Sequence, residues 1–405
     1  MDRYDRRIVT APQWMENFQC IAGDCPETCC QQWNIDVDPL HGDLYSRLED
    51  PELAGILGQL LRSFRLRRAG QRGHEVQYRL MLLDQPDGRC PLLNARGECR
   101  LQKKYGAYQL CDTCYFHPRT FWQIDERFGL SACLSCPECA RLALLHQEPT
   151  EFSQFETEID PGVEWLETSL ISDPGARRLM QNREPLVFAL CAVLQDRSCS
   201  FAERLSRACG FLSALEQVER PDEDAIRKTA RGAAAGSAGM VPDDPRELMR
   251  VYLVVFDPIP EVLEKPVQAA GAFTRLLAGG RDPFAEVLAR NFLEGMEAAG
   301  PFLKENGNLV ENFMVHCVFA DSFRQFYRCQ NDPVTAADIL RHERALLSVW
   351  YVFLEVQLAQ AALSHRCMSE ELFVQTVIRA DKNYWHYPDW FARCAGRLLR
   401  VSSGK

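Results

Sequence analysis

Eleven of the chain's 18 cysteines lie before residue 140, and four of them share one run, Cys20-Ile-Ala-Gly-Asp-Cys25-Pro-Glu-Thr-Cys29-Cys30. Thiols bunched this closely ligate a metal or cluster, form disulfides or mark a redox site, whereas cysteines that merely pack as small apolar groups do not normally arrive in such clusters. A segment of this kind is organised around its sulfurs. Its apolar stretches, Trp33-Asn-Ile-Asp-Val, Val76 to Leu83 and Thr120 to Ile124, are short and broken by Gly, Pro and Asp, which suits small strands and loops around a site.

Further groups follow: Cys90-Pro-Leu-Leu, Gly97-Glu-Cys99, Cys111-Asp-Thr-Cys114 leading to His117-Pro-Arg119, and Cys133-Leu-Ser-Cys136-Pro-Glu-Cys139. A C-x2-C pair turns back so that both sulfurs reach one ion, and four thiolates complete a tetrahedral zinc site or one iron-sulfur cluster. Spacing leaves that choice open. Iron and sulfur gain weight from Cys-Pro at Cys25, Cys90 and Cys136 and from the C-x2-C-x2-C of Cys133, Cys136 and Cys139. Pro137 fits the first turn of a helix continued by Ala140 to Leu145, and a helix start there favours thiolate at Cys136. The C-x3-C-x2-C of radical enzymes that cleave S-adenosylmethionine is absent, because Cys25-x3-Cys29 runs directly into Cys30. For Cys191, Cys199, Cys209, Cys317, Cys329, Cys367 and Cys394, scattered through the rest, packing is the better reading.

At 405 residues the chain exceeds one ordinary core and divides into two domains. Hydrophobic residues at 46% and charged residues at 25% are average for a soluble globular protein, which argues against global disorder. The net charge of -10 argues against nucleic acid as a partner, although Arg62 to Arg72 is locally basic. Met1 to Gln13 is charged, without the apolar stretch of a secretory signal, and no run approaches the roughly 18 apolar residues of a membrane span. The expectation is a cytoplasmic protein without a membrane partner. In that compartment thiols stay reduced, so the cysteines read as metal-binding or catalytic rather than disulfide-bonded.

The cysteine density falls near residue 150, which sets the expected domains: 1–150, a cysteine-rich α+β region of short strands and loops that binds a metal or cluster, and 151–405, an α-helical bundle. The fold class is mainly α. Leu309, Phe313 and Cys317 share a helical face with Val310, Met314 and Val318 beside them, and Leu346, Trp350 and Phe353 or Leu354 repeat the spacing. Asp173-Pro174 and Ser369-Glu-Glu are helix starts. Residues 220–246, with Gly232, Gly236 and Gly239, lack periodicity and read as a flexible loop. No strand precedes those glycines, and their spacing suits neither a dinucleotide fingerprint nor a P-loop.

Taken in order, Cys20-x4-Cys25-x3-Cys29-Cys30-x2-Trp33, Cys90-Pro-Leu-Leu, Gly97-x-Cys99-x2-Gln102, Cys114-x2-His117-Pro-Arg119 and Leu134-Ser-Cys136-Pro-Glu-x-Ala140-Arg141 resemble the flagellin lysine-N-methylase family. The likeness covers residues 15 to 145, with weaker echoes at Glu311-Asn312-Phe313 and Tyr384-Trp-His-Tyr. It implies methyl transfer from S-adenosylmethionine to lysine ε-amines of flagellin, with a [4Fe-4S] cluster in the cysteine-rich part; the wider group is described only as zinc- or iron-chelating. The ligand positions it implies are Cys20, Cys25, Cys29, Cys30, Cys90, Cys99, Cys114 and Cys136, and Cys111, Cys133 and Cys139 look like additions. Eight thiolates exceed the four that one cluster needs, so either two centres exist or some cysteines serve packing or redox roles.

A lysine amine, with an ordinary pKa near 10.4, must lose its proton or its solvation before it can attack a sulfonium methyl. That attack is polar and needs no radical. Candidate bases near the cysteines are Asp24, Glu27, Asp36, Asp38 and Glu138, and Trp33, Tyr115 and Trp122 are candidates to stack on a cation. His117 and Arg119, inside the matched motif, are the candidate catalytic pair. No Gly-rich strand-turn-helix is present to hold the donor in a Rossmann-type site. Two other functions fit the same residues: an iron-sulfur electron carrier, and a zinc-stabilised protein-binding module without catalysis.

Overall fold

Alternation sets the first sheet. In Ile35–Val37 the outer residues are buried and Asp36 faces solvent, which is the two-residue period of a strand with one face on a core. The computed structural model describes residues 3–66, 75–233, 244–256, 283–324, 334–385 and 390–402. It divides into two units: residues 1–122, 128–139 and 153–163 form the first, and residues 123–127, 140–152 and 164–405 the second. The single cut expected near residue 150 is replaced by an interleaved chain, because the strand Phe152–Glu158 belongs almost wholly to the first unit.

The strands are β1 (Arg6–Pro12), β2 (Ile35–Val37), β3 (Leu61–Leu66), β4 (Glu75–Leu80), β5 (Arg119–Ile124), β6 (Arg127–Ala132), β7 (Phe152–Glu158) and β8 (Glu164–Leu166). β2, β4 and β3 make an antiparallel sheet in that order, with Ile35 opposite Leu80 and Leu61 opposite Leu80 on its other side. Helices α1 (Pro39–Ser46) and α2 (Leu53–Leu60) cover it. Leu53, Leu57 and Leu60 lie at the i, i+4, i+7 spacing of one helical face, and all three are fully buried with Ile35, Val37, Tyr45, Leu80 and Leu82. Gly42 is required where α1 crosses the sheet, since a Cβ there would stand 2.0 Å from the Tyr78 ring. The larger sheet has four strands of this unit in the order β7-β1-β6-β5, with β1 and β6 parallel through Val9 opposite Phe128. The tip of the β5–β6 hairpin belongs to the second unit, where Asp125 donates its N–H to the Leu166 carbonyl of β8 at 2.9 Å. Short helices α3 (Arg100–Tyr105), α4 (Asp112–Phe116) and α5 (Pro137–Leu144) link these parts.

The second unit is helical: α6 (Pro174–Gln181), α7 (Arg183–Leu194), α8 (Phe201–Leu215), α9 (Glu223–Arg231), α10 (Pro245–Val255), α11 (Pro283–Glu305), α12 (Gly307–Asp321), α13 (Ala336–His365), α14 (Glu370–Ala380) and α15 (Trp390–Ser402). The protein is thus mainly α, with an α+β part at its N-terminal end. Asp173 and Ser369 cap α6 and α14, accepting from the N–H groups of Ala176 at 2.7 Å and Leu372 at 3.2 Å. α12 is buried on all sides from Glu311 to Ala320, more than the single apolar stripe read from the sequence, because it runs through the core.

Two expectations are corrected. Within residues 220–246, Asp222 caps a helix, α9, accepting from the Ala225 N–H at 3.0 Å, and the acidic first turn of Glu223 and Asp224 supports it. Residues 234–243, with Gly236 and Gly239, lie outside the described residues, as do Arg67 to Arg72, Cys329, His386 and Tyr387. One helix, α13, is after all long and apolar enough to cross a membrane by length and composition. Its most apolar window is 61% buried, and it packs against α8, α11 and α15, as the central helix of a globular core does.

Candidate functional site

The thiols of the first unit form two groups. Cys90 and Cys111 are part of the core beneath the β2-β4-β3 sheet, with Cys30, Cys99, Cys114 and Trp33 packed against it. Backbone bonds draw these loops together: Cys90 donates its N–H to the Cys30 carbonyl at 2.9 Å, Arg100 donates to Leu92 at 2.8 Å, and Leu93 bridges to Cys99. In the second group, the thiols of Cys20 and Cys136 act electrostatically on Cys29, and those of Cys136 and Cys133 on Cys139. This group gathers where β6 passes into α5, with the Cys133 N–H on the Pro118 carbonyl at 2.8 Å. Cys29 and Cys30 hydrogen-bond to each other, so the groups meet at this neighbouring pair.

Three sulfur pairs share one chemistry. Cys30 accepts a hydrogen bond from Cys29, and this, opposed by burial and helped by Thr28 and the positive charge of Arg89, holds its thiol down at about 7. Cys136 is likewise lowered to about 7 by Cys139, against burial, with help from the N–H groups of Cys139 and Glu138 at the start of α5. The helix-start N–H groups expected there contribute, but the Cys139 hydrogen bond is the larger cause. Cys111 is lowered by its hydrogen bond from Cys114. The donors Cys29 and Cys114 are pushed up by those bonds and by burial, and Cys139 by burial first. Cys90 is raised to about 12 by burial. Each pair therefore holds one thiol that ionises more readily beside one that keeps its proton.

Seven of the eight expected ligand positions fall into these groups: Cys30, Cys90, Cys99 and Cys114 in one, Cys20, Cys29 and Cys136 in the other. Cys25 donates to the Glu27 carbonyl at 3.1 Å. Cys111, Cys133 and Cys139, read as additions, stand inside the groups; the two-residue spacing of each to its partner was the clue. Arg119 faces Cys139 and lies over the Phe18 ring at 5.1 Å, while the His117 ring stands 5.9 Å from Trp33.

The other candidates hold the frame. Asp38 caps α1 and accepts from the His41 ring at 2.7 Å and from the Asp112 N–H at 3.0 Å. Burial opposes its ionisation, but these bonds win and hold it at about 2. Among the described residues, Asp38, His41 and Asp112 are also the trio whose ligand atoms all lie within 4.8 Å of one another. Arg3 fills that space, with its guanidinium 2.6 Å from Asp112 and 2.9 Å from His41. Among the described residues, no trio of sulfurs is drawn that tightly. Asp36 pairs with Arg79 at 2.6 Å. Tyr115 donates to Glu158 and stacks between Tyr4 and Tyr108, and Trp122 is buried against Gly129.

In the second unit the two sequence echoes meet, with Phe313 edge-on to Trp385 at 5.8 Å. Trp385 lies in a π-helical turn, Asp381–Trp385, and donates to the Asp321 carboxylate at 2.8 Å. Asn312 donates to the carbonyls of Leu144 at 2.8 Å and His146 at 2.9 Å, so this echo is scaffold. A cavity of about 840 Å³ opens between α7 and α9. Its lining includes Phe188, Ala189 and Ala192, the charged Arg127, Arg231 and Glu184, and the ion pairs Arg207–Asp196 and Arg227–Glu223.

A family model described as the FliB lysine N-methylase C-terminal domain matches residues 189–399, just over half of the chain. The chain is 28% identical over 130 residues to the flagellar biosynthetic protein FliU of Salmonella muenchen, which is 32% of this chain and 73% of that protein. It is equally similar, at 28% over 130 residues, to proteins named lysine-N-methylase from Salmonella choleraesuis (strain SC-B67) and Salmonella typhimurium (strain LT2), covering 32% of this chain and 31% of each. The match thus spans about a third of the length of those two relatives. No solved structure matches the chain. With its C-terminal half matched throughout, the chain belongs to the FliB lysine N-methylase family.

Proposed function

We propose that the protein is a lysine N-methyltransferase that moves the methyl group of S-adenosylmethionine to lysine ε-amines of flagellin in the cytoplasm. The observation that carries this reading is the family match across residues 189–399, a segment that holds much of the lining of the α7–α9 cavity. Its volume, about 840 Å³, lies in the range of small-molecule sites. Its chemistry suits an amphipathic zwitterion: Arg127 and Arg231 for a carboxylate, Glu184 for an ammonium, and the Phe188 ring for an aromatic base. Once the lysine nitrogen has lost its proton, its lone pair attacks the methyl carbon as the sulfonium carbon–sulfur bond breaks.

The number and pairing of the thiols suit a metal centre, and the C-x2-C-x2-C of Cys133, Cys136 and Cys139 favours an iron-sulfur cluster. Such a cluster would supply a rigid ligand frame for the loops or, with an open iron, a Lewis acid for the donor's amino acid part. Cys20, Cys29, Cys30, Cys90, Cys99, Cys114 and Cys136 are the candidates for its four ligands, and the positive charge of Arg119 favours the thiolate of Cys139. His117 and Arg119 belong in this reading to the ligand frame.

The test is to incubate protein purified without oxygen with flagellin and S-adenosylmethionine and follow flagellin by intact mass. Gains in methyl increments that need the donor and fall at least tenfold with Phe188→Ala support the reading. Unmodified flagellin from protein that carries its metal sinks it.

A further inference from the structure

We propose that α9 is a lid that closes over the methyl donor in the α7–α9 cavity, and that Arg231, in its last turn, is the residue that draws it shut. This deepens the proposed function and rests on its reading that the donor occupies this cavity.

The two walls of the cavity are held in different ways. α7 lines it with Glu184, Phe188 and Ala192, one turn apart on one face, and buries Leu186, Val187, Leu190 and Leu194 on the opposite face. That wall is anchored in the core. α9 faces the cavity with Glu223, Arg227, Ala230 and Arg231, the i, i+4, i+7 and i+8 positions of one helical face. Within the helix only Ile226 is buried, so a single apolar side chain holds this wall down.

Polar contacts add no second tether. Among the described residues, no α9 side chain forms a hydrogen bond or ion pair with another element: Arg227 pairs with Glu223 inside the helix, and Thr229 donates to the Ala225 carbonyl at 2.7 Å. A helix fixed by so little opens at low cost, and ligand-gated elements are drawn from that end of the stability range. Residues 216–222, which join it to α8 and expose Glu219 and Arg220, take up the swing.

The donor supplies the link that α9 lacks. With its aromatic base on Phe188 and its carboxylate on Arg231, it bridges the anchored wall and the loose one. It makes more contacts with the closed form than with the open one, so binding shifts α9 towards closure. Closure keeps water from the reacting methyl.

The experiment is amide hydrogen exchange on the full chain, read by mass spectrometry with and without S-adenosylhomocysteine, whose binding is measured in parallel by calorimetry. In the ligand-free protein the amides of α9 should exchange about tenfold faster than those of α7, and equal protection of the two helices overturns the lid. At saturating S-adenosylhomocysteine, exchange in α9 should slow about fivefold. Binding that protects α7 and leaves α9 unchanged overturns the lid and keeps the donor site, whereas no binding overturns both. Arg231→Ala alters an exposed side chain and leaves the fold intact. At saturation it should cancel the slowing in α9 while α7 stays protected, and full slowing in that variant overturns the part given to Arg231.

Discussion

Arg204 and Glu311 meet at 2.6 Å with their side chains 7% and 1% exposed, joining α8 to α12 in the core of the second unit. Arg197 adds a second guanidinium to the same carboxylate at 2.8 Å, and Arg204 also donates to the Leu194 carbonyl at 2.8 Å. Removing the carboxylate leaves a buried guanidinium uncompensated, which costs far more than losing a surface pair. Glu311→Ala should destabilise the protein by about 3–5 kcal/mol, read as a lower urea midpoint at constant slope. A change under about 1 kcal/mol would mean that water reaches the pair.

Gly129 and Trp122 face each other on adjacent strands of one hairpin, and a Cβ at residue 129 would lie 1.9 Å from the indole ring. Trp122 is 3% exposed, so its ring moves only by displacing its neighbours. Gly129→Ala should therefore cost about 1–3 kcal/mol by overpacking, and Gly129→Val more. Near-ultraviolet circular dichroism of the tryptophans should change with it. An alanine variant that melts with the parent protein would show that the indole swings aside freely.

How much of this was readable in the sequence varies with the range of the forces involved. Local signals read well: the caps Asp173 and Ser369, the proline opening α5, and the repeat of Leu309, Phe313 and Cys317 all fix structure within one or two turns. Helix α9 was hidden because glycines and alanines after Gly232 masked an Asp cap and acidic first turn just before them. The packing of Cys30, Cys99 and Cys114 against the core that holds Cys90 and Cys111 joins residues far apart in the chain, which no spacing encodes. Asp38 looked like a base in sequence, and only its bonds to His41 and Asp112 show it to be a cap. β1 was missed because Arg6 and Arg7 lead it and its apolar Ile8 is exposed; burial runs without alternation from Val9 to Pro12.

Glu343 is fully buried, accepts from the Phe323 N–H at 2.9 Å and is pushed up to about 8 by burial, against the pull of Phe323, Ser322 and Arg183. The sign follows from linkage. Below the ordinary carboxyl value the group is neutral in both folded and unfolded chains. Above it the unfolded chain ionises first, so stability falls as pH rises from about 4.5 towards 8. Glu343→Gln keeps the acceptor for Phe323 and removes the titration. Its stability should decline less between pH 5 and 8 than that of the parent, measured by urea unfolding at each pH, and parallel profiles would show that Glu343 is ionised in the fold.

Thiol reactivity offers a separate check on the sulfur pairs, in protein stripped of metal and fully reduced. Cys30 and Cys136, held down at about 7, are about half thiolate at neutral pH, and thiolate is the form that alkylates. Cys191 and Cys209 are buried in the helical unit, and burial raises both, Cys209 to about 11. Brief iodoacetamide labelling at pH 7, read by peptide mass spectrometry, should therefore modify Cys30 and Cys136 at least tenfold faster than Cys191 and Cys209. Replacing the hydrogen-bond donor in Cys139→Ala should slow labelling at Cys136 and leave Cys30 unchanged, because the two pairs draw on different donors. Equal slowing at both would mean that the substitution loosens the whole unit, and no slowing at either would show that the helix start alone lowers Cys136.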